Sequence, residues 1–285
     1  MLNGNDVNNE NGDNKRWFEI FKSEMSNPGF RAYHERMQTF LLWFVDSASY
    51  IDTDDDRWDY FVVYEKLNQV TNVVSNGQIN SFVYRFVGYT TIYRYYAYPQ
   101  KIRPRISQFI ILPPFQKRGL GAELLSTINN FYSKDPNVLD ITVEDPSDDF
   151  IRLRDFINAK NCMNLESFKS EKLKNGWNEA MANEAQEKFK MNKKQARKAY
   201  EILRLKNTNL HNDEEYKLFR IDIKQRLNAP FERQRIDQNK LLKGGLITAA
   251  ELNATLLPKD VRIEQLDNQY KQLEKEYKHI IERLA

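Results

Sequence analysis

The 285-residue sequence predicts an α/β protein, a mixed and mostly antiparallel sheet with flanking helices, followed by a C-terminal helical domain. Three observations predict it. Segments rich in β-branched and aromatic residues crowd the first half and stop near Phe150. One of them runs through a glycine loop into an amphipathic helix and another apolar run, the pattern of a βαβ unit. The second half carries only helical spacings. The expected division is a disordered tail over 1–16, a sheet core with its preceding helix over 17–160, and a helical domain over 161–285.

The tail is polar and Asn-rich. A helix is predicted over 30–50, with Tyr33, Met37, Phe40, Leu41 and Phe44 following the three-to-four spacing of one helical face. The acidic cluster Asp52, Asp54, Asp55 and Asp56 ends it. Strands over 58–65 and 82–93 flank a polar stretch with Asn76-Gly77 at its turn, which predicts an antiparallel hairpin. A strand over 105–112 is stopped by Pro113-Pro114. The helix over 119–132 places Leu120, Leu124, Ile128 and Phe131 on one face, and an apolar run over 138–143 follows Pro136. Four or so helical segments come next, separated at Asn175-Gly176, 207–212, Pro230 and Gly244-Gly245. In the last, Ile263, Leu266, Tyr270, Leu273, Tyr277, Ile280 and Leu284 form a heptad seam, which packing within its own domain explains as well as a coiled coil.

Composition narrows the function. Hydrophobic residues make up 41% and aromatics 13%, too much for a disordered chain. No stretch approaches the roughly 20 apolar residues of a membrane span, and the first residues lack the apolar core of a secretory signal. Cys162 is the only cysteine and can form no intramolecular disulfide, so a cytosolic or nuclear location is expected. Residues 151–285 carry 28 basic against 20 acidic side chains, a net of +8, whereas the residues before them carry a net of −5. The acidic half suits a cationic substrate, and the basic half reads as solvated helix, with Lys and Arg alternating with Glu. It carries no nucleic-acid reading motif.

The segment that carries chemistry is Gln116-Lys117-Arg118-Gly119-Leu120-Gly121-Ala122, between a strand and a helix. Glycines let backbone approach a diphosphate, and a helix beginning there turns free N–H groups and its positive dipole end toward the anion. A ligand-free tight connection has the same composition. The third glycine of the dinucleotide fingerprint and the Lys-Ser/Thr of the nucleotide P-loop are both missing, which argues against NAD and ATP. Glu144, after the strand that follows the glycine helix, stands where open α/β sheets meet their ligands. Its Glu-Asp-Pro-Ser context also reads as a plain turn in which Ser147 caps the next helix.

The pattern Gln116-x-x-Gly119-x-Gly121 is similar to the signature of the GNAT acetyltransferases. Further segments resemble the catalytic subunit of the type B histone acetyltransferases: Arg103-Pro104-Arg105-Ile106-Ser107-Gln108, Leu139-Asp140-Ile141-Thr142-Val143-Glu144-Asp145-Pro146-Ser147, Leu153-Arg154-Asp155-Phe156, Tyr33-His34-Glu35-Arg36 and Tyr200-Glu201-Ile202-Leu203-Arg204-Leu205. The resemblance runs from about Phe18 to Ala285.

It implies a GNAT-type sheet and acetyl-CoA as co-substrate, with no metal. Phe109, Ile110 and Ile111 would offer backbone to the pantetheine arm, Gln116 through Ala122 would hold the diphosphate, and Ser147 would touch the cofactor. Glu144 would be the general base. Tyr93, Arg94 and Tyr95 would contact a histone tail, with Asp56 and Asp145 helping to position the lysine or remove its proton. The implied reaction is acetylation of free histone H-four, and of other histones, in nucleus and cytoplasm. The alternative is a catalytically weak histone-binding or chromatin-assembly module that keeps the fold. A ping-pong route would need Cys162, which has no neighbouring histidine in the sequence. The family carries another domain before the position of Phe18, which helps hold the histone and a WD40-repeat chaperone. A short polar tail stands there, as expected of a truncated form or an incomplete gene product.

Overall fold

The computed structural model describes residues 16–46, 48–70, 80–248, 251 and 256–284. Nearly all of the predicted tail and the Asn76-Gly77 turn lie outside the described residues. The described chain divides into two units, one comprising the residues up to 157 with 183–193, the other 158–182 with 194–285.

The first unit is built on a five-stranded sheet in the order β1-β2-β3-β4-β5. The strands are β1 (Trp17–Ser23), β2 (Trp58–Val70), β3 (Asn80–Ala97), β4 (Lys101–Ile111) and β5 (Thr142–Val143). The first four are antiparallel neighbours and β5 lies parallel to β4. Two faces are covered. Leu120, Leu124, Leu125 and Ile128 of α2 (Leu120–Ser133), with Phe150 and Ile157 of α3 (Asp148–Cys162), pack on Phe61, Val63, Ile92, Ile106 and Ile111. On the other face Phe30, Met37 and Leu41 of α1 (Phe30–Phe44) pack on Tyr60, Val62, Tyr89 and Ile110. Each fully buried side chain of this kind contributes about 1.5–3 kcal/mol.

Several expectations are corrected. The helix expected over 30–50 ends at Phe44, because Val45 turns extended and the Gln108 side chain holds the carbonyl of Ser49 at 2.7 Å, drawing the chain back over the sheet. The strand expected over 138–143 shrinks to two residues. Val138 and Ile141 are buried, but Ile141 N–H donates to the carbonyl of Lys190 instead of joining β4. β1, at the boundary of the tail, had not been predicted.

The ladder also carries two bulges that local pattern does not announce. Val63 pairs with Gly88 and Tyr64 with Phe86, leaving Val87 as the extra residue. Gly88 is required there, since a β-carbon would stand 2.2 Å from the Ile110 carbonyl oxygen. Thr91 pairs with Gln108 and Ile92 with Ile106, leaving Ser107 extra on β4.

The second unit is helical, with α4 (Ser170–Lys174), part of α5 (Glu179–Phe189), nearly all of α6 (Lys193–Lys206), α7 (Asp213–Lys243) and α8 (Lys259–Arg283) among its described residues. Its centre is the buried carboxylate of Glu201, which accepts from Arg197 at 2.8 Å, Arg226 at 2.5 and 2.8 Å and Tyr277 at 2.7 Å. The seam of α8 is committed to this interior through Tyr270, Tyr277 and Ile280, whereas Ile263 is exposed. Pro230 lies inside α7 and does not divide it. A proline there costs about 3 kcal/mol, but the helix is tied down on both sides, by Lys224 to Asp267 and Arg226 to Glu201 before it and by Glu232 to Arg262 after it. Among the described residues no helix is long and apolar enough to cross a membrane.

Candidate active site

The site is organised by the parting of β4 and β5. Their pairing consists of Arg105 with Thr142 and Ile106 with Val143, and it ends where Glu144 N–H donates to the Ile106 carbonyl at 2.9 Å. Beyond that point β4 continues to Ile111 while the other chain turns away through Asp145, whose φ of 32° lies in the left-handed region. An open strand edge results. Leu112 N–H donates to Val87 on β3, so by the two-residue alternation Ile110 also faces β3, and Phe109 and Ile111 face the open side. Of the three residues expected to offer backbone to a ligand, Ile110 is thus spent within the sheet. The Ile111 carbonyl accepts from the Gln116 side chain at 2.8 Å, which ties the glycine loop to the strand end.

That loop has the shape an anion needs. Lys117 and Gly119 take positive φ of 59° and 81°, and α2 begins at Leu120 with no side chain capping its N-terminus. Gln116, Lys117, Arg118 and Gly119 are exposed. A β-carbon on Gly119 would meet nothing within 4 Å, so the space above it is open. Gly121 differs, because the space beside it holds Leu153, Phe109 and Ile111 at 3.5 to 3.9 Å. Leu120 is buried in the core and Ala122 packs against it. From Ile106 to Ile111 is five residue steps, about 16 Å of extended strand.

At the other end of this edge stands Glu144. It is exposed, and the hydroxyl of Ser107, the bulged residue, donates to its Oε2 at 2.8 Å. Ser147 accepts from Phe150 N–H at 3.3 Å through its side chain and from Ile151 N–H at 2.9 Å through its carbonyl, which caps α3. Its hydroxyl proton is still free to meet a ligand.

Thr142 shares a sheet face with Arg105, Tyr93 and Tyr95, opposite Ile92, Ile106 and Val143. Tyr93 touches Trp58 and Tyr95 edge to face, at centroid distances of 4.8 and 4.6 Å. Arg57 lies over the Tyr93 ring and Arg105 over the Tyr95 ring. Tyr93 hydroxyl donates to Asp55 at 2.9 Å, and the Arg57 guanidinium beside Asp55 holds that carboxyl well below the usual carboxylate range. The carboxylate brought to the tyrosines is therefore that of Asp55, whereas Asp56 contributes its backbone carbonyl, which accepts from Arg94. Asp145 is exposed at the turn.

Sequence reasoning assigned no role to Ser107, Asp55 or Trp58. The adjacent polar pair Ser107-Gln108 inside an alternating strand was the available signal for the bulge. Cys162 is buried. Among the described residues no group of three or more His, Cys, Asp or Glu could hold a metal ion.

An antiparallel meander whose last strand leads through a glycine loop and helix to a parallel, diverging strand is the GNAT acetyltransferase fold. The family profile described as histone acetyltransferase type B catalytic subunit, C-terminal, matches residues 154–205, and the one described as histone acetyl transferase HAT1 N-terminus matches residues 2–46. The human protein named histone acetyltransferase type B catalytic subunit is 46% identical over 270 residues, covering 94% of this chain and 62% of its own. The mouse protein of the same name is 44% identical over 287 residues, covering 100% and 66%. The chain belongs to the family of type B histone acetyltransferase catalytic subunits, and it spans less than two thirds of the length of these relatives. A solved aminoglycoside acetyltransferase from an uncultured soil metagenomic sample, in complex with sisomicin, is similar at a TM-score of 0.33 and 17% identity, over 48% of this chain and 82% of that one, too distant a likeness to bear on function.

Proposed function

We propose that the chain transfers the acetyl group of acetyl-CoA to lysines of free histone tails, H-four first, by direct attack with Glu144 as general base. The observation that carries this is the open edge of β4, with a carboxylate at one end and an uncapped, glycine-led helix start at the other. The edge is long enough for an extended pantetheine arm to lie along Phe109 and Ile111, its amides meeting their backbone as an added strand. The diphosphate fits the open space above Gly119, where Lys117 and Arg118 add charge.

The chemistry needs a base, because a lysine with a reference pKa of about 10.4 is deprotonated in roughly one molecule in two thousand at neutral pH. Glu144 takes the ammonium proton, the freed amine attacks the thioester carbonyl, and as the carbon–sulfur bond breaks the sulfur takes the second proton shed by the attacking nitrogen, so that CoA departs as the thiol. The strip of Trp58, Tyr93 and Tyr95 suits the aliphatic stem of a lysine, and the exposed Asp145 suits a cationic tail, whereas the Asp55 charge is already met by Arg57. Histones and a WD40-repeat chaperone are the partners, and nucleus and cytoplasm the locations, that the family reading carries.

The test is transfer of labelled acetyl from acetyl-CoA to an H-four tail peptide by the wild type and by Glu144→Gln. The expected result is loss of at least about a hundredfold in kcat. Binding of acetyl-CoA without transfer by the wild type would favour the non-catalytic histone-binding module instead.

A further inference from the structure

We infer that Ser107 is a positioning residue for acetyl transfer, the group that holds Glu144 in the one orientation in which a free carboxylate oxygen faces the incoming lysine. The inference rests on Glu144 being the base.

An exposed glutamate on a turn samples several rotamers, and few of them aim its oxygen at a substrate held along β4. Two features remove that freedom. Glu144 backbone is fixed by its N–H on the Ile106 carbonyl, the last bond of the β4–β5 ladder. Its side chain is fixed by the Ser107 hydroxyl on Oε2 at 2.8 Å. With Oε2 engaged, Oε1 is left to accept a proton.

The ladder register makes this contact, since Arg105 pairs with Thr142 and Ile106 with Val143, so that Ser107 and Glu144 come next, on one face. In an unbroken ladder, residues after Ile106 would alternate strictly between the two faces. By that alternation Ser107 lies beside Glu144, and on the side of β3 it is the bulged residue left out of the pairing, while Gln108 N–H meets Thr91 Oγ1 at 3.2 Å. Ser107 is itself half-buried, while the contact it makes with Glu144 is exposed. A hydroxyl donating to a carboxylate stays put through the reaction, because it can still donate to the neutral acid's carbonyl oxygen after Oε1 has taken the proton.

The test is a kinetic double-mutant cycle in the full chain with acetyl-CoA and an H-four tail peptide, using Ser107→Ala, Ser107→Thr, Glu144→Gln and the Ser107→Ala/Glu144→Gln pair. Ser107→Ala is expected to lower kcat roughly tenfold with KM for acetyl-CoA unchanged. Ser107→Thr, which keeps the hydroxyl, is expected to restore most of the rate. In the Glu144→Gln background Ser107→Ala is expected to cost nothing further. A Ser107→Ala effect of equal size in both backgrounds, a rise in KM alone, or failure of Ser107→Thr to recover activity would overturn the proposal and leave Ser107 as a bulge-former. Unchanged kcat in Ser107→Ala beside an inactive Glu144→Gln would overturn it while the base assignment stood. A fully active Glu144→Gln would remove both.

Discussion

The hydroxyl of Tyr132 donates to the buried carboxylate of Asp59 at 2.6 Å, joining the last turn of the glycine helix to the second strand across 73 residues of sequence. Lys22 reaches the same carboxylate from β1 at 2.9 Å. This contact anchors the far end of α2, and so fixes the direction in which its N-terminus points.

Tyr132→Phe removes a hydrogen bond to a buried charge and leaves the ring packing intact. The expected loss is about 1.5 kcal/mol, at the low end for charged hydrogen bonds because Lys22 remains. A urea titration should show a lower midpoint with an unchanged slope. An unaltered midpoint would mean that the anchor contributes nothing.

The two loop glycines should respond oppositely to alanine. Gly119 has a φ of 81°, where an L side chain costs roughly 1–2 kcal/mol, and its methyl would project into the open space assigned to the diphosphate. Gly119→Ala should therefore lose stability and acetyl-CoA affinity together, as read by calorimetric titration. A β-carbon on Gly121 meets its neighbours at ordinary distances, and alanine is the better helix former by up to about 1 kcal/mol. Gly121→Ala should melt no lower than the wild type.

His34 should make the fold acid-sensitive. It is buried between the rings of Tyr60 and Tyr89, neither ring nitrogen has a partner among the described residues, and burial pushes its pKa down to about 4 from 6.5. The unfolded chain then binds a proton that the folded chain refuses, so stability is lost as pH falls from about 6.5 toward 4, by about 3 kcal/mol in all. Comparison with His34→Leu by chemical denaturation at several pH values isolates this contribution. Equal pH slopes in the two proteins would contradict it.

Glu201→Ala should be the most damaging single change in the helical unit. It leaves Arg197, Arg226 and Tyr277 facing a hole where their shared carboxylate was. Breaking such a buried ionic group costs about 3–5 kcal/mol. Limited proteolysis should find new cleavage sites within 194–284, with the rate of cutting in the sheet unit unchanged.

The sheet was legible where local signals agree. β4, the glycine loop and α2 are each marked by composition, period and punctuation, and all three stand within a few residues of their predicted limits. Features set by distant partners were hidden. The run over 138–143 has strand composition, yet Lys190, some fifty residues on, takes the bond that would have extended the ladder. Pro230 reads as a break until the pins on either side of it are known. Four acidic residues among five, Asp52 to Asp56, gave no means of choosing the one that Tyr93 would bind. The glycine loop could be singled out from its own composition, and Glu144 only through the resemblance of the segments around it, since its local context reads equally as a turn. Ser107 could not, because its partner lies 37 residues later, in the turn after β5.

The early departure of β5 gives the sheet a notch flanked by two of its own strands. Unpaired strand margins ordinarily invite other sheets to dock and aggregate. Here the margin is only the five residues of β4 beyond Ile106, a length that suits one short extended segment and gives a second sheet little to grip. The step in the hydrogen-bond ladder that opens this edge therefore also limits how much of it another chain can take up.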